Sequence, residues 1–114
     1  MSRVRLDPQR AFIEPAKLRD YILSPAHPVG RFKAAFFAAL GYSRDQWPKL
    51  ADDLRTQHLA QEAEGVETNA FGTKYRIVAL LTGPGGRAAA VVSIWIVRHG
   101  EEVPRLVTLY PDGS

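Results

Sequence analysis

A histidine, an arginine and a lysine follow one another closely at the start of a predicted helix. His27 stands between Pro25 and Pro28, and Arg31 and Lys33 come directly after this stiff loop. A helix N-terminus attracts anions through its free N–H groups and its dipole. A neutral imidazole beside cations suits a general base acting on a phosphodiester. The pattern predicts His27 as a catalytic base and Arg31 as a substrate ligand; the alternative is that His27 is a cap or loop residue.

Two hydroxyl side chains on the last predicted strand complete the candidate catalytic set. Thr108 and Tyr110 are two residues apart, so they point to the same face of a strand. Lys33 flanks the apolar side of its helix and could enter the cleft between helix and sheet, or extend into water. His27, Lys33, Thr108 and Tyr110 are therefore the predicted catalytic residues. Thr and Tyr are also favoured in ordinary strands, which leaves a purely structural role open for both.

Further cations lie in the strand-rich half of the chain. Lys74, Arg76 and Arg105 are predicted substrate-binding residues that would form a cationic stripe on the sheet. The alternative is that they are ordinary surface charges at its edges. Trp95 could be a base-stacking platform, but a core position is favoured. The three histidines lack metal-ligand spacing, and no phosphate-loop, dinucleotide or metalloprotease motif occurs. No metal and no cofactor is therefore expected.

Periodicity places these residues on three helices followed by strands. Apolar residues at helical spacing in the second helix predict its buried stripe, formed by Phe32, Ala35, Phe36, Ala39 and Leu40. The chain then changes to strand spacing, with Gly83-Pro84-Gly85-Gly86 as a hairpin turn. The predicted helices cover about 15–23, 29–40 and 45–61, and the predicted strands 75–81, 88–98 and 104–110, with a possible first strand at 66–71.

This pattern predicts a single α+β domain over residues 1–114. Three N-terminal helices, within 14–62, would pack on one face of a three- or four-stranded antiparallel meander sheet, within 66–111. Residues 1–13 would form an arm or an edge strand.

Composition supports a folded domain and a weakly basic one. The 114 residues are 46% hydrophobic and contain no cysteine, which excludes disulfides and thiolate zinc sites. No signal peptide or membrane-spanning run is apparent, so a soluble cytoplasmic protein is expected. The net charge is +3, and residues 1–49 hold nine basic and four acidic residues. A positive side of this kind suits an anionic partner such as RNA.

Several segments together resemble a bacterial family of unknown function. They are Lys17–Leu23, His27-Pro28-Val29-Gly30, Lys33–Phe37, Leu40-Gly41-Tyr42, Gly72-Thr73-Lys74-Tyr75, Gly83-Pro84, Val92–Ile96 and Pro104–Pro111. The plan is similar to small toxin domains of the barnase–EndoU–colicin–RelE type, which cleave RNA without a metal. The resemblance implies a small neighbouring antitoxin protein that neutralises the toxin. It also implies that a terminal strand carrying Thr108, Tyr110 and Pro111 works with His27 or Lys33 from the helical half.

Two functions from different classes follow. The first is a metal-independent ribonuclease toxin of a toxin–antitoxin or related system, in which the ribose 2′-hydroxyl attacks the phosphate. The second is a non-catalytic protein-binding module that uses an exposed sheet edge or the acidic third helix. A small-molecule enzyme is less favoured because no cofactor motif is present.

Overall fold

The chain folds into an antiparallel sheet of five strands with three helical segments on one face. The computed structural model describes residues 3–113, and within them the strands lie side by side in chain order. The helical segments are α1 Pro15–Lys17, continued by the π-helical turn Leu18–Ile22; α2 Gly30–Ala39; and α3 Trp47–Asp53, preceded by the 3-10 turn Arg44–Gln46 and continued by the π-helical turn Leu54–His58. The strands are β1 Arg3–Val4, β2 Ala63–Thr68, β3 Gly72–Thr82, β4 Ala88–Arg98 and β5 Pro104–Pro111.

The predicted α+β meander is confirmed, but the predicted number of strands is wrong. β1 pairs with β2 through Arg3 opposite Glu64, so Arg3–Val4 is an edge strand, and residues 1–2 of the predicted arm or edge strand lie outside the described residues. β2 begins at Ala63, earlier than predicted, and continues through Gly65. A strand of two residues has no periodicity to detect, and a Glu-Gly pair is typical of a helix end or turn. The strands at this edge of the sheet form because two segments distant in sequence pair with each other, which local patterns do not reveal.

One face of the sheet packs on the helices and forms the core. Ile77, Leu81, Val91, Trp95 and Leu109 alternate along their strands and are buried there. Trp95 is 0% exposed, which confirms its core position, and its indole N–H donates to Ser93 Oγ at 2.8 Å. We call this side the inner face.

The opposite side, the outer face, carries the hydroxyls and cations of the strands. Ile94 of β4 lies between Arg76 on β3 and Thr108 on β5, and Val92 lies between Val78 and Tyr110. Residues directly opposite one another in antiparallel strands share a face. β5 contains one extra residue, a bulge, opposite Ile94 and Trp95. Because of this bulge, Arg105 lies opposite Ile96 and shares the outer face with Thr108, although the two residues are three apart.

Backbone contacts at both ends fix α2 against its surroundings. At its C-terminal end, Gly85 N–H in the β3–β4 turn donates to Leu40 O at 3.1 Å, so the predicted hairpin turn also anchors a helix. At its N-terminal end, Gly30 lies against α1, where a Cβ would be 1.9 Å from Tyr21 O. The predicted buried stripe is confirmed at Leu40, which is buried, and at Phe36, which packs against the core. It is wrong at Phe32, Ala35 and Ala39, which are exposed, and Phe37, which was not predicted, is 0% exposed.

Candidate functional site

Lys33 reaches from α2 to the edge strand β5 and joins two hydroxyl groups. Its ammonium donates to Tyr21 Oη and to Thr108 Oγ1, each at 2.9 Å. The same Nζ atom lies 4.8 Å from the Tyr21 ring centroid and 5.9 Å from that of Tyr110. Among the ion pairs of residues 3–113, none involves Lys33. The partners of this half-buried ammonium are neutral hydroxyl groups, so an anionic ligand would not have to displace a carboxylate from it.

Tyr21 was not predicted as a site residue, and it connects the helical half to β5. Its ring contacts the His27 ring edge to face, with centroids 4.9 Å apart. One turn earlier in the same helical segment, Lys17 Nζ donates to Val107 O at 2.8 Å. Residues four apart share a helix face, so the spacing of Lys17 and Tyr21, within a segment that also carries the family resemblance, was a signal that could have revealed them.

His27 caps α2 through one ring nitrogen. Its Nδ1 accepts hydrogen bonds from Val29 N–H at 3.0 Å and from Gly30 N–H at 2.9 Å. Backbone N–H groups can only donate, so Nδ1 must present its lone pair, and the proton of the neutral ring resides on Nε2. In this conformation the imidazole can donate a hydrogen bond but has no free lone pair to accept a proton. The cap role raised as an alternative is thus present, and the predicted role of general base is not available to this tautomer.

The predicted catalytic residues therefore form a chain of contacts at one edge of the sheet. Thr108 and Tyr110 share the outer face, Lys33 contacts both, and His27 joins through Tyr21. Arg31, a predicted substrate ligand, lies apart from this chain of contacts. It stacks on Phe32, with Cζ 4.8 Å from the ring centroid, and borders a shallow hollow beside Ala38. Residues two apart on a helix do not face the same way, so Arg31 and Lys33 point to different flanks.

The predicted substrate-binding residues of the strands share the outer face with Thr108 but do not touch it. Arg76 is paired with Glu64, and Arg105 lies 3.4 Å from Glu101. Lys74, which pairs in register with Ile96, makes no ion pair among residues 3–113. These cations flank the hydroxyls along the sheet and do not converge on one atom.

The two ends of the outer face differ in charge. At one end, an open groove of about 470 Å³ beside Tyr110 contains Glu62, Glu64 and Asp112 as well as two arginines. At the other end, a smaller pocket of about 150 Å³ is lined by three basic residues and one acidic residue, namely Lys17, Arg98, Arg105 and Glu14. The charged residues that line the second pocket are net positive and those that line the first are net negative, so the second direction suits an anionic chain better.

Neither a metal cluster nor a membrane-crossing helix is seen in the part of the chain that the structure describes. No three His, Asp or Glu side chains of residues 3–113 are grouped so that they could hold a metal ion. None of the helices in this range is both long and apolar enough to cross a bilayer.

Gly30 sets the distance between the His27 cap and Tyr21, so we expect Gly30→Ala to disturb the site. The added Cβ would lie 1.9 Å from Tyr21 O, which forces α1 and α2 apart. Overpacking of this kind costs about 1–3 kcal/mol, measurable as a lower denaturant midpoint in urea unfolding. Gly113→Ala is the matched control, because the Cβ that alanine adds there meets no atom within 4 Å. Equal midpoints for the two variants would contradict the proposed spacing role.

Comparisons with known proteins show a family and a similar fold, but they do not show a catalytic activity for this chain. The family model described as "Domain of unknown function (DUF6883)" matches residues 6–113. No curated protein sequence matches the chain. One chain from a contact-dependent growth inhibition toxin–immunity protein complex of Klebsiella pneumoniae 342 is similar in structure, with a TM-score of 0.70 and 18% sequence identity. The match covers 95% of this chain and 98% of that one, and at this identity it shows a common fold.

Proposed function

Because this chain belongs to the family of domains of unknown function DUF6883, whose description carries no activity, we propose from its site that it is a metal-independent ribonuclease of a bacterial toxin system. The observation that carries the proposal is the Lys33 ammonium, held 2.9 Å from both Tyr21 Oη and Thr108 Oγ1 at an open face of the sheet. A fixed cation surrounded by hydroxyl groups matches the needs of a phosphate whose charge increases during reaction.

In this proposal the ribose 2′-oxygen attacks the adjacent phosphorus, and the bond from phosphorus to the 5′-oxygen breaks. Lys33 stabilises the charge that develops on the non-bridging oxygens of the phosphorane, while Thr108 and Tyr110 orient the phosphate. The 2′-hydroxyl proton is passed through water to the departing 5′-oxygen. The products are a 2′,3′-cyclic phosphate and a 5′-hydroxyl, and the step needs no metal.

His27 acts in this scheme as a neutral hydrogen-bond donor. Its Nε2–H is the polar group of the ring that the helix cap does not use, since Nδ1 accepts from Val29 and Gly30. A preorganised donor aimed at developing negative charge lowers the barrier without taking up a proton. This role replaces the general-base role predicted from the sequence.

The donor role predicts that His27→Asn folds normally but cleaves RNA at least about tenfold more slowly, a smaller loss than the 100- to 1,000-fold cost of deleting a dedicated oxyanion donor. Asparagine is a good helix cap, so it can replace Nδ1 but cannot supply the Nε2 proton. His27→Ala, which removes both functions, should lose stability as well as rate. Thermal unfolding and initial cleavage rates separate the two effects. Wild-type rates in His27→Asn would show that the ring serves only as a cap.

The structural neighbour supports a toxin and a protein partner. That chain comes from a complex of a growth inhibition toxin with its immunity protein. By analogy, a small neutralising protein would bind this domain. A shared fold does not establish a shared activity. The ribonuclease proposal therefore depends on the arrangement of residues around Lys33.

The test is RNA cleavage in excess EDTA, coupled to expression in a bacterium. The proposal expects fragments that end in a 2′,3′-cyclic phosphate, with undiminished rates when EDTA is present, and arrest of growth on induction. End-group analysis of the fragments distinguishes this chemistry from metal-dependent hydrolysis, which leaves a linear phosphate. Intact RNA together with harmless expression would reject the proposal.

A non-catalytic binding module is the second candidate, favoured by one feature. Within residues 3–113, β1 covers β2 only at Ala63 and Glu64, which leaves the far edge of 66–68 without a neighbouring strand and open to an added one. The acidic third helix is a weaker docking surface than predicted, because Asp53 is buried and bound to Tyr42 Oη at 2.5 Å and Lys49 Nζ at 2.9 Å. Harmless expression with capture of a partner at this edge would favour the module.

A further inference from the structure

We propose that the pocket beside Phe12 is a second nucleotide-binding subsite, which stacks a base and grips the phosphate next to the one at Lys33. This inference rests on the proposed function for its ligand and adds a site that the catalytic scheme does not use. The residues that define the pocket are Phe12, Lys17, Arg98 and Arg105. We call it the Phe12 subsite.

The subsite adjoins the Lys33 centre along β5. Lys17 Nζ binds Val107 O at 2.8 Å, and Lys33 Nζ binds the side chain of the next residue, Thr108, at 2.9 Å. Two ammonium groups are therefore fixed at consecutive residues of one strand. Arg105 lies opposite Ile96 and Thr108 lies opposite Ile94, and two residues of β4 span about 7 Å. A single strand of RNA running along β5 would pass from one group of cations to the next.

Phe12 supplies an aromatic surface that the fold holds in place. Its backbone bridges to β5, with Phe12 N–H donating to Pro104 O at 2.7 Å and Leu106 N–H donating to Phe12 O at 3.0 Å. Its side chain is nevertheless 45% exposed, with the Arg105 guanidinium 5.5 Å from the ring centroid. An apolar ring kept in solvent by a rigid backbone and flanked by cations matches the stacking platforms of single-strand binding proteins.

The charge around the pocket favours an anion. Lys17 and Arg98 have no ion pair among residues 3–113, whereas Arg105 has one long contact to Glu101 at 3.4 Å. Of the acidic residues that the structure describes, Glu14 alone lines the pocket. The groove at the opposite end of the outer face is lined by three acidic and two basic residues, so its lining is net negative. RNA is therefore drawn from Lys33 towards Phe12 and away from Glu62, Glu64 and Asp112.

The experiment measures binding separately from cleavage. The probe is a fluorescent single-stranded RNA of about ten nucleotides with 2′-O-methyl riboses, which cannot react by 2′-attack. Its anisotropy is titrated with the full chain at several salt concentrations from about 50 to 200 mM. Phe12→Ala should weaken binding roughly tenfold at every salt concentration, because one base loses its stacking partner. Phe12→Trp should restore the wild-type affinity.

Arg98→Ala provides a different signature. Loss of one phosphate contact should reduce the slope of log K against log salt by about 0.7, a change that Phe12→Ala should not cause. Phe32→Ala is the matched aromatic control, since Phe32 is 70% exposed on the far flank of α2. Arg87→Ala is the matched cationic control. Both controls should bind the probe as the wild type does, and unfolding midpoints check that every variant is folded.

The two proposals can fail separately. A protein that binds the probe through Phe12 and Arg98 but never cleaves RNA keeps the subsite and rejects the nuclease. Cleavage of natural RNA by a protein whose probe affinity is unchanged in Phe12→Ala and Arg98→Ala overturns the subsite and keeps the nuclease. Absence of any probe binding by the wild type overturns the subsite as well.

Discussion

Lys33→Ala is expected to reduce RNA cleavage in EDTA by at least about 100-fold, the usual effect of removing one electrostatic stabiliser of an oxyanion. The ammonium is placed by three features: the helix α2, the hydroxyl of Tyr21 and the hydroxyl of Thr108, with both contacts at 2.9 Å. With the cation lost, Thr108 and Tyr110 can still hydrogen-bond to the phosphate, but neither hydroxyl balances the charge of the phosphorane. Binding of uncleavable RNA should fall far less than the cleavage rate.

Two further variants make this result specific. Lys33→Met removes the charge and retains most of the aliphatic stem, so it should fold like the wild type and yet be as inactive as Lys33→Ala. Arg87→Ala, in the turn remote from the site, removes one positive charge and should leave cleavage unchanged. A Lys33→Met enzyme within a few fold of the wild-type rate would exclude Lys33 from the chemistry.

The stability of the domain is expected to fall by about 3 kcal/mol as the pH is lowered from 6.5 to 4, through one buried residue, His58. His58 is 0% exposed, and its Nδ1 lies 2.8 Å from Ser93 Oγ, which also accepts the Trp95 N–H. Burial lowers the pKa of His58 from 6.5 to about 4, against a smaller opposing effect of the Ala79 backbone.

The direction follows from proton uptake. Between pH 6.5 and 4 the unfolded chain protonates His58 while the folded protein does not, so lower pH favours unfolding. Asp20 does not interfere in this window, because hydrogen bonds from Arg19 and Arg44 lower its pKa from 3.8 to about 2. Its contribution is lost only at more acidic pH.

Urea unfolding at a series of pH values measures the effect. His58→Gln can still hydrogen-bond to Ser93 but does not titrate, so its unfolding free energy should be nearly flat over this range even if its overall level is lower. A wild-type profile as flat as that of the variant would show that His58 is protonated in the folded protein, contrary to its burial.

Local patterns in the chain determined the order and type of the elements. Strand periodicity in β3, β4 and β5, the Gly83-Pro84 turn and the core position of Trp95 could all be predicted, because they depend on neighbours within a few residues. The spacing of Thr108 and Tyr110 likewise placed both on one face before any pairing was known.

Tertiary structure determined the fifth strand, the buried face of α2 and the contacts of the site, because these features depend on segments that are distant in sequence. Pairing of Arg3 with Glu64 made a fifth strand, and docking of α2 buried Phe37 while Phe32 stayed exposed. Periodicity defines a stripe only to within one position, and the surface that docks chooses among the possibilities. The meeting of Lys33 with Thr108, 75 residues later, arose in the same way. The chain alone determined which groups were available for chemistry, and packing determined which of them meet.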